Sequence, residues 1–120
     1  MMIRLLFFTI IVYGFNASYT IQSTNAASKL GEIEFPTSGS GISQNHFITG
    51  VAALHSFWYP EALQEFKNST KADPNFAMGY WGEAMAHNAP LWERQDSKLA
   101  KTALSKISDI SALTQRERDY

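Results

Sequence analysis

Residues 50–74 read GVAALHSFWYPEALQEFKNSTKADP, and this stretch decides the fold. It holds two apolar patterns of helical spacing, separated by an aromatic turn at Trp58 and Tyr59. Gly50 lies mid-way along the first pattern, where glycine costs about 1 kcal/mol against alanine. A close approach by the second helix offsets that cost. Ala62 and Phe66 stand four apart on the second pattern and share a face with Ser69. Gly50, Ala53 and Phe57 share the facing side of the first. Pro60 suits the first helical position, where its missing N–H would be unpaired anyway. Glu61 and Glu65 lie early on this helix and Lys67 and Lys71 late, matching the helix dipole. Asp73 and Pro74 close the unit.

Working outward, Ser43 reads as an N-cap for a first helix over residues 44–57. Asp73 reads as the cap of a third helix over 74–88, with Ala77, Tyr80, Trp81, Ala84 and Met85 at helical spacing. Residues 88–92 (NAPLW) form a loop. Asp96 then caps a fourth helix whose stripe is Leu99, Ala100, Ala103, Leu104 and Ile107. Thr114 and Glu117 form a capping box, which opens a further helix.

Glycine on a first helix, A-x3-F on a second and a closing proline resemble the tetratricopeptide repeat. Gly50, Tyr59, Ala62, Phe66, Asp73 and Pro74 carry the resemblance. The family's W-x2-L-G-x2-Y stretch falls on His46, Thr49, Gly50 and Ala53, of which only the glycine agrees. Ser69 stands where the family has a small alanine. The family's thirty-four-residue period sets Gly50 against Ala84. The resemblance implies an all-α fold, a right-handed stack of antiparallel helix pairs. Its units would be about 44–74 and 75–108, with a third beginning at 114. Such stacks need about three units and a terminal cap. The chain is therefore expected to be the front part of a longer repeat protein, or to self-associate.

The first residues read differently. Residues 1–4 carry Arg4, residues 5–15 (LLFFTIIVYGF) are apolar and uncharged, and residues 16–28 are small and polar. This is the layout of a secretory signal peptide over residues 1–27, with cleavage after Ala26 or Ala27. The apolar run is short for a bilayer, which takes about twenty residues. A secreted or periplasmic location follows, with no membrane span after cleavage; a membrane anchor is the alternative. Residues 28–43 hold the glycine, serine and proline of a flexible linker, with Ile33 and Phe35 placed to pack on the first helix as an extended lead-in.

Composition excludes several functions. There is no cysteine, hence no disulfide, thiol catalysis or cysteine metal site. Ten basic and eleven acidic side chains are scattered, and removing the leader takes away only Arg4 among them, leaving a net of −2. No basic stripe points to nucleic acid. No phosphate loop, dinucleotide fingerprint or zinc-protease motif is present, so no cofactor is expected. Glu83 and His87 stand four apart on one helix, and two ligands do not make a metal site. They carry the alternative reading, a metal-binding or hydrolytic accessory. The third is a structural opening segment of a larger protein.

The resemblance implies a non-catalytic scaffold that binds a protein or peptide, with first helices lining the concave side. Helical-wheel positions opposite Gly50 are Gln44, Ile48, Val51 and His55. Their equivalents on the third helix are Met78, Trp81, Met85 and Asn88. These eight residues are the expected partner contacts, and methionine and tryptophan suit an adaptable apolar surface.

Overall fold

The computed structural model describes residues 30–120, so the expected leader lies outside the described residues. Within them the chain is mostly helical. The elements are α1 (Gly41–His55), α2 (Tyr59–Ala72), α3 (Ala77–Ala86), β1 (Asn88–Ala89), β2 (Arg94–Gln95), α4 (Ser97–Leu104) and α5 (Gln115–Arg118). Among the described residues, no helix is long and apolar enough to cross a membrane.

Helix α1 begins at Gly41, ahead of the expected start. Gly41 has φ +54°, and glycine adopts that left-handed turn into the helix without a Cβ penalty. Ser43 is therefore inside α1 rather than its cap, and its hydroxyl donates to the Ser40 carbonyl at 2.8 Å. The helix stops at His55 because Phe57 turns left-handed at φ +61°. Trp58 N–H donates to Ala53 O (2.9 Å) and Phe57 N–H to Leu54 O (3.1 Å), a Schellman closure. Phe57 is thus off the α1 face expected for it. Its ring is 52 % exposed and lies 6.1 Å from Trp92.

Pro60 falls in the first turn of α2, as its missing donor favours. The hydroxyl of Ser69 donates to Ser43 O at 2.7 Å, and His46 Nδ1 lies 2.6 Å from Glu65 Oε2. These pairs run in opposite directions along the two helices, so α1 and α2 are antiparallel. Helix α3 starts at Ala77, not at Pro74, because Asp73 caps a turn instead. Its carboxylate accepts from Asn75 N–H at 3.0 Å and its carbonyl from Phe76 N–H at 3.1 Å.

The loop expected over residues 88–92 is instead part of a small antiparallel hairpin over residues 88–95. Asn88 pairs with Gln95 and Ala89 with Arg94, around a 3-10 turn at Pro90–Trp92. That pairing ends α3 at Ala86. Asp96 caps α4 by accepting from Leu99 N–H at 2.9 Å. Ile107 lies beyond the end of α4. The capping box of α5 is formed, with Glu117 N–H donating to the Thr114 hydroxyl at 3.2 Å and Thr114 N–H to Glu117 Oε2 at 2.8 Å.

The core is built on Phe66, which is fully buried with Phe47, Ala62 and Ser69. Burying a phenylalanine side chain stabilises by about 1.5–3 kcal/mol. The Cδ1–Cε1 edge of the ring meets two glycines on different helices. A Cβ added at Gly50 of α1 would lie 2.8 Å from the ring, and one at Gly82 of α3 would lie 2.2 Å from it. The close approach expected between Gly50 and the alanine side of α2 is therefore made by Phe66. Phe66 also reaches past the thirty-four-residue match, since Gly82 and not Ala84 receives it. One side chain joins the first helix pair to the third helix. A second close contact continues the seam, where a Cβ at Gly79 would lie 2.6 Å from Thr70 Cγ2.

Candidate functional site

The face shared by α1 and α3 is the expected partner surface, and the structure distributes its eight residues unequally. Val51 and Met78 are each 2 % exposed and join Phe47, Phe66 and Phe76 in the core. Both are corrections: wheel positions at the edge of a face turn inward once a third helix packs there. His55 is exposed in the last turn of α1. The other five fall into two groups.

Gln44 and Ile48 of α1 form one wall of a groove of about 320 Å³. Its other wall is the chain itself, residues 33–36. Residues 30–40 carry neither helix nor strand, as a linker would, yet they lie on the helices. Leu30, Ile33 and Phe35 pack against the core. Phe35 is edge-on to Phe47 of α1 at 5.3 Å and 6.4 Å from Trp81 of α3. Its carbonyl accepts from Gln44 Nε2 at 2.9 Å.

Trp81, Met85 and Asn88 line a second cleft of about 450 Å³, between α3, α4 and Tyr120. Ala100 and Leu104 of α4 form its far wall. Met85, Leu104 and Tyr120 are 38 %, 43 % and 57 % exposed, so the cleft is apolar and open. Tyr120 stacks edge-on to Trp81 at 5.2 Å and lies 5.6 Å from Phe35. Trp81 is thus the residue common to both groups.

Sequence reasoning placed Phe35 only as a lead-in on the first helix, and missed Arg116 and Tyr120 as parts of this face. Arg116 Cζ stands 4.8 Å from the centre of the Phe35 ring, a cation–π distance. It also missed what holds the extended segment. Glu117 is buried, and its Oε1 accepts from Ser38 N–H at 2.8 Å and the Ser38 hydroxyl at 2.9 Å. The capping box was a readable signal for Glu117, but its second role joins residues far apart in sequence.

Burial acts to raise the Glu117 pKa, but the N–H groups and hydroxyls of Ser38 and Thr114 outweigh it and hold the carboxyl below its ordinary range. A depressed carboxylate contributes stability above its unfolded pKa, and that contribution is lost as pH falls through the folded value. The Ser38 amide proton shift should therefore titrate with a midpoint below the ordinary glutamate value of about 4.3. Glu117→Gln should abolish that titration. A Ser38 shift that titrates at or above the ordinary value would remove this account of the latch.

The Glu83 and His87 pair is not assembled with a further ligand. Glu83 is 6 % exposed, and its Oε1 lies 3.6 Å from Lys106 Nζ. Among the described residues, no three histidine or carboxylate side chains come together. His46 pairs with Glu65, its Nδ1 2.6 Å from the carboxylate.

A scan against protein-family models, a search of curated proteins and a search of solved structures each find no match to this chain. What defines the site is its own geometry. It has two apolar surfaces meeting at Trp81, amide and cation donors at one end, and an extended segment of chain lying across part of it.

Proposed function

We propose that this protein is a non-catalytic scaffold, a tetratricopeptide-like stack whose first-helix face binds a protein or peptide outside the cytoplasm. The observation that supports it most is the extended segment. Residues 33–36 lie against Gln44 and Ile48 of α1, with Phe35 reaching Trp81 of α3. A face that accepts one extended run of chain has the shape and donors to accept another. The solenoid reading rests on antiparallel α1 and α2 and on Phe66 joining that pair to α3. The location rests on the expected leader.

Glu83 is turned towards Lys106, which favours a structural role for it over metal or hydrolytic work.

Selection from a displayed random-peptide library tests the scaffold reading. Enriched peptides should bind the full chain and lose binding to the Trp81→Ala, Met85→Ala double variant. If every enriched peptide binds the folded double variant unchanged, this face is not the binding surface.

A further inference from the structure

Residues 32–40 alternate strictly in exposure. Ile33, Phe35, Thr37 and Gly39 are half-buried, while Glu32, Glu34, Pro36, Ser38 and Ser40 are exposed, Ser38 with its hydroxyl bonded to Glu117. That period of two is how an extended peptide is read by a groove, alternate side chains entering pockets while the backbone meets fixed donors. The backbone contact is present, from Gln44 Nε2 to the Phe35 carbonyl at 2.9 Å. The side-chain pocket is present too. Phe47, Trp81, Tyr120 and the Arg116 guanidinium surround the Phe35 ring at 5.3, 6.4, 5.6 and 4.8 Å. Pro36 restricts Phe35 before it to extended backbone, so Phe35 loses less conformational freedom when the segment lies down.

We propose that the face formed by α1, α3 and the α5 turn is a site for an extended peptide of pattern apolar-x-aromatic-Pro, and that Ile33, Glu34, Phe35 and Pro36 are its tethered occupant. This rests on the scaffold reading and specifies the ligand. An apolar side chain fits beside Ile48, an aromatic ring fits between Trp81 and Arg116, and the carbonyl of that aromatic residue receives Gln44. Glu117 fastens the far end of the tethered segment through Ser38. A tether of this length holds its ligand at millimolar effective concentration, so a free peptide competes poorly until the segment is loosened.

The probe is a fluorescent peptide of residues 30–40, LGEIEFPTSGS, added to the full chain carrying Phe35→Ala. It should bind saturably, and at least about tenfold more tightly than it binds the unaltered chain. A peptide with alanine at its own Phe35 should not bind, nor should the probe bind a chain carrying Phe35→Ala and Trp81→Ala together. Ser38→Pro removes both donors that Ser38 gives Glu117 and keeps every apolar side chain, so it should also admit the probe even if Phe35→Ala is poorly folded. Failure of the probe to bind either loosened chain while that chain still melts cooperatively would overturn the proposal. So would equal binding by loosened and unaltered chains. Exchange of this segment between two copies, seen as a dimer that shuts out the probe, would overturn it in favour of a second copy as occupant. Library peptides of another pattern captured through Trp81, with no capture of the probe, would overturn the proposal and leave the scaffold reading standing.

Discussion

Phe66→Ala should destabilise the protein by about 3–5 kcal/mol, the range for removing a buried phenylalanine. The upper half of that range is expected here. The ring is fully buried, and the two residues flanking it are Gly50 and Gly82, which have no side chains to move into the space. Phe47, at 5.8 Å between ring centres, is itself fully buried and held by Phe76 at 5.5 Å and Phe35 at 5.3 Å. The cavity therefore stays open. Stability of a small domain is only about 5–15 kcal/mol, so the loss is a large share of the total. Urea unfolding followed by circular dichroism measures it. A cost under about 1 kcal/mol, well below the range for such truncations, would mean that the ring is not packed as described.

Gly82→Ala should cost about 1–3 kcal/mol, the range for overpacking, even though alanine is the better helix former by about 1 kcal/mol. The added methyl would stand 2.2 Å from Phe66 Cδ1, so the ring or the helix must shift. Gly50 also lies against the Cδ1–Cε1 edge of the ring, where a Cβ would stand 2.8 Å from it, so the ring is closely approached from two helices. Shortening the ring to leucine should relieve the conflict. In a double-mutant cycle, Gly82→Ala should cost much less in a Phe66→Leu background than in the unaltered chain. Additive effects would mean that the two positions do not touch.

This contact was half legible. Glycine at 50 and A-x3-F at 62 and 66 announced a close approach between α1 and α2, and burial of Ala62, Phe66 and Ser69 agrees with the face read from their spacing. The partner of the glycine was not legible, since spacing says which residues share a face and not which side chain fills a notch. Gly82 was less legible still. The repeat period pointed to Ala84, whereas the crossing of α2 and α3 sets the ring one turn-edge away.

The candidate face shows the same limit. Gln44, Ile48, Trp81, Met85 and Asn88 fall on grooves as their wheel positions suggested, while Val51 and Met78 border the core and are taken into it. The segment over residues 30–40 was the largest surprise. Its glycine, serine and proline are the residues of a linker, and nothing local marks them as packed. Only Ile33 and Phe35 hinted at the lead-in that forms. The bond from Ser38 to Glu117 depends on where α5 arrives, which no local pattern carries.

The most direct test of the whole arrangement is a proton NOE experiment on the ring of Phe66. The ring protons should show cross-peaks to the α-protons of both Gly50 and Gly82, because one side chain meets both glycines and so joins α1 and α2 to α3. Cross-peaks to Gly50 alone would leave the first helix pair intact but separate it from α3, and cross-peaks to neither would contradict the fold on which the proposed binding face rests.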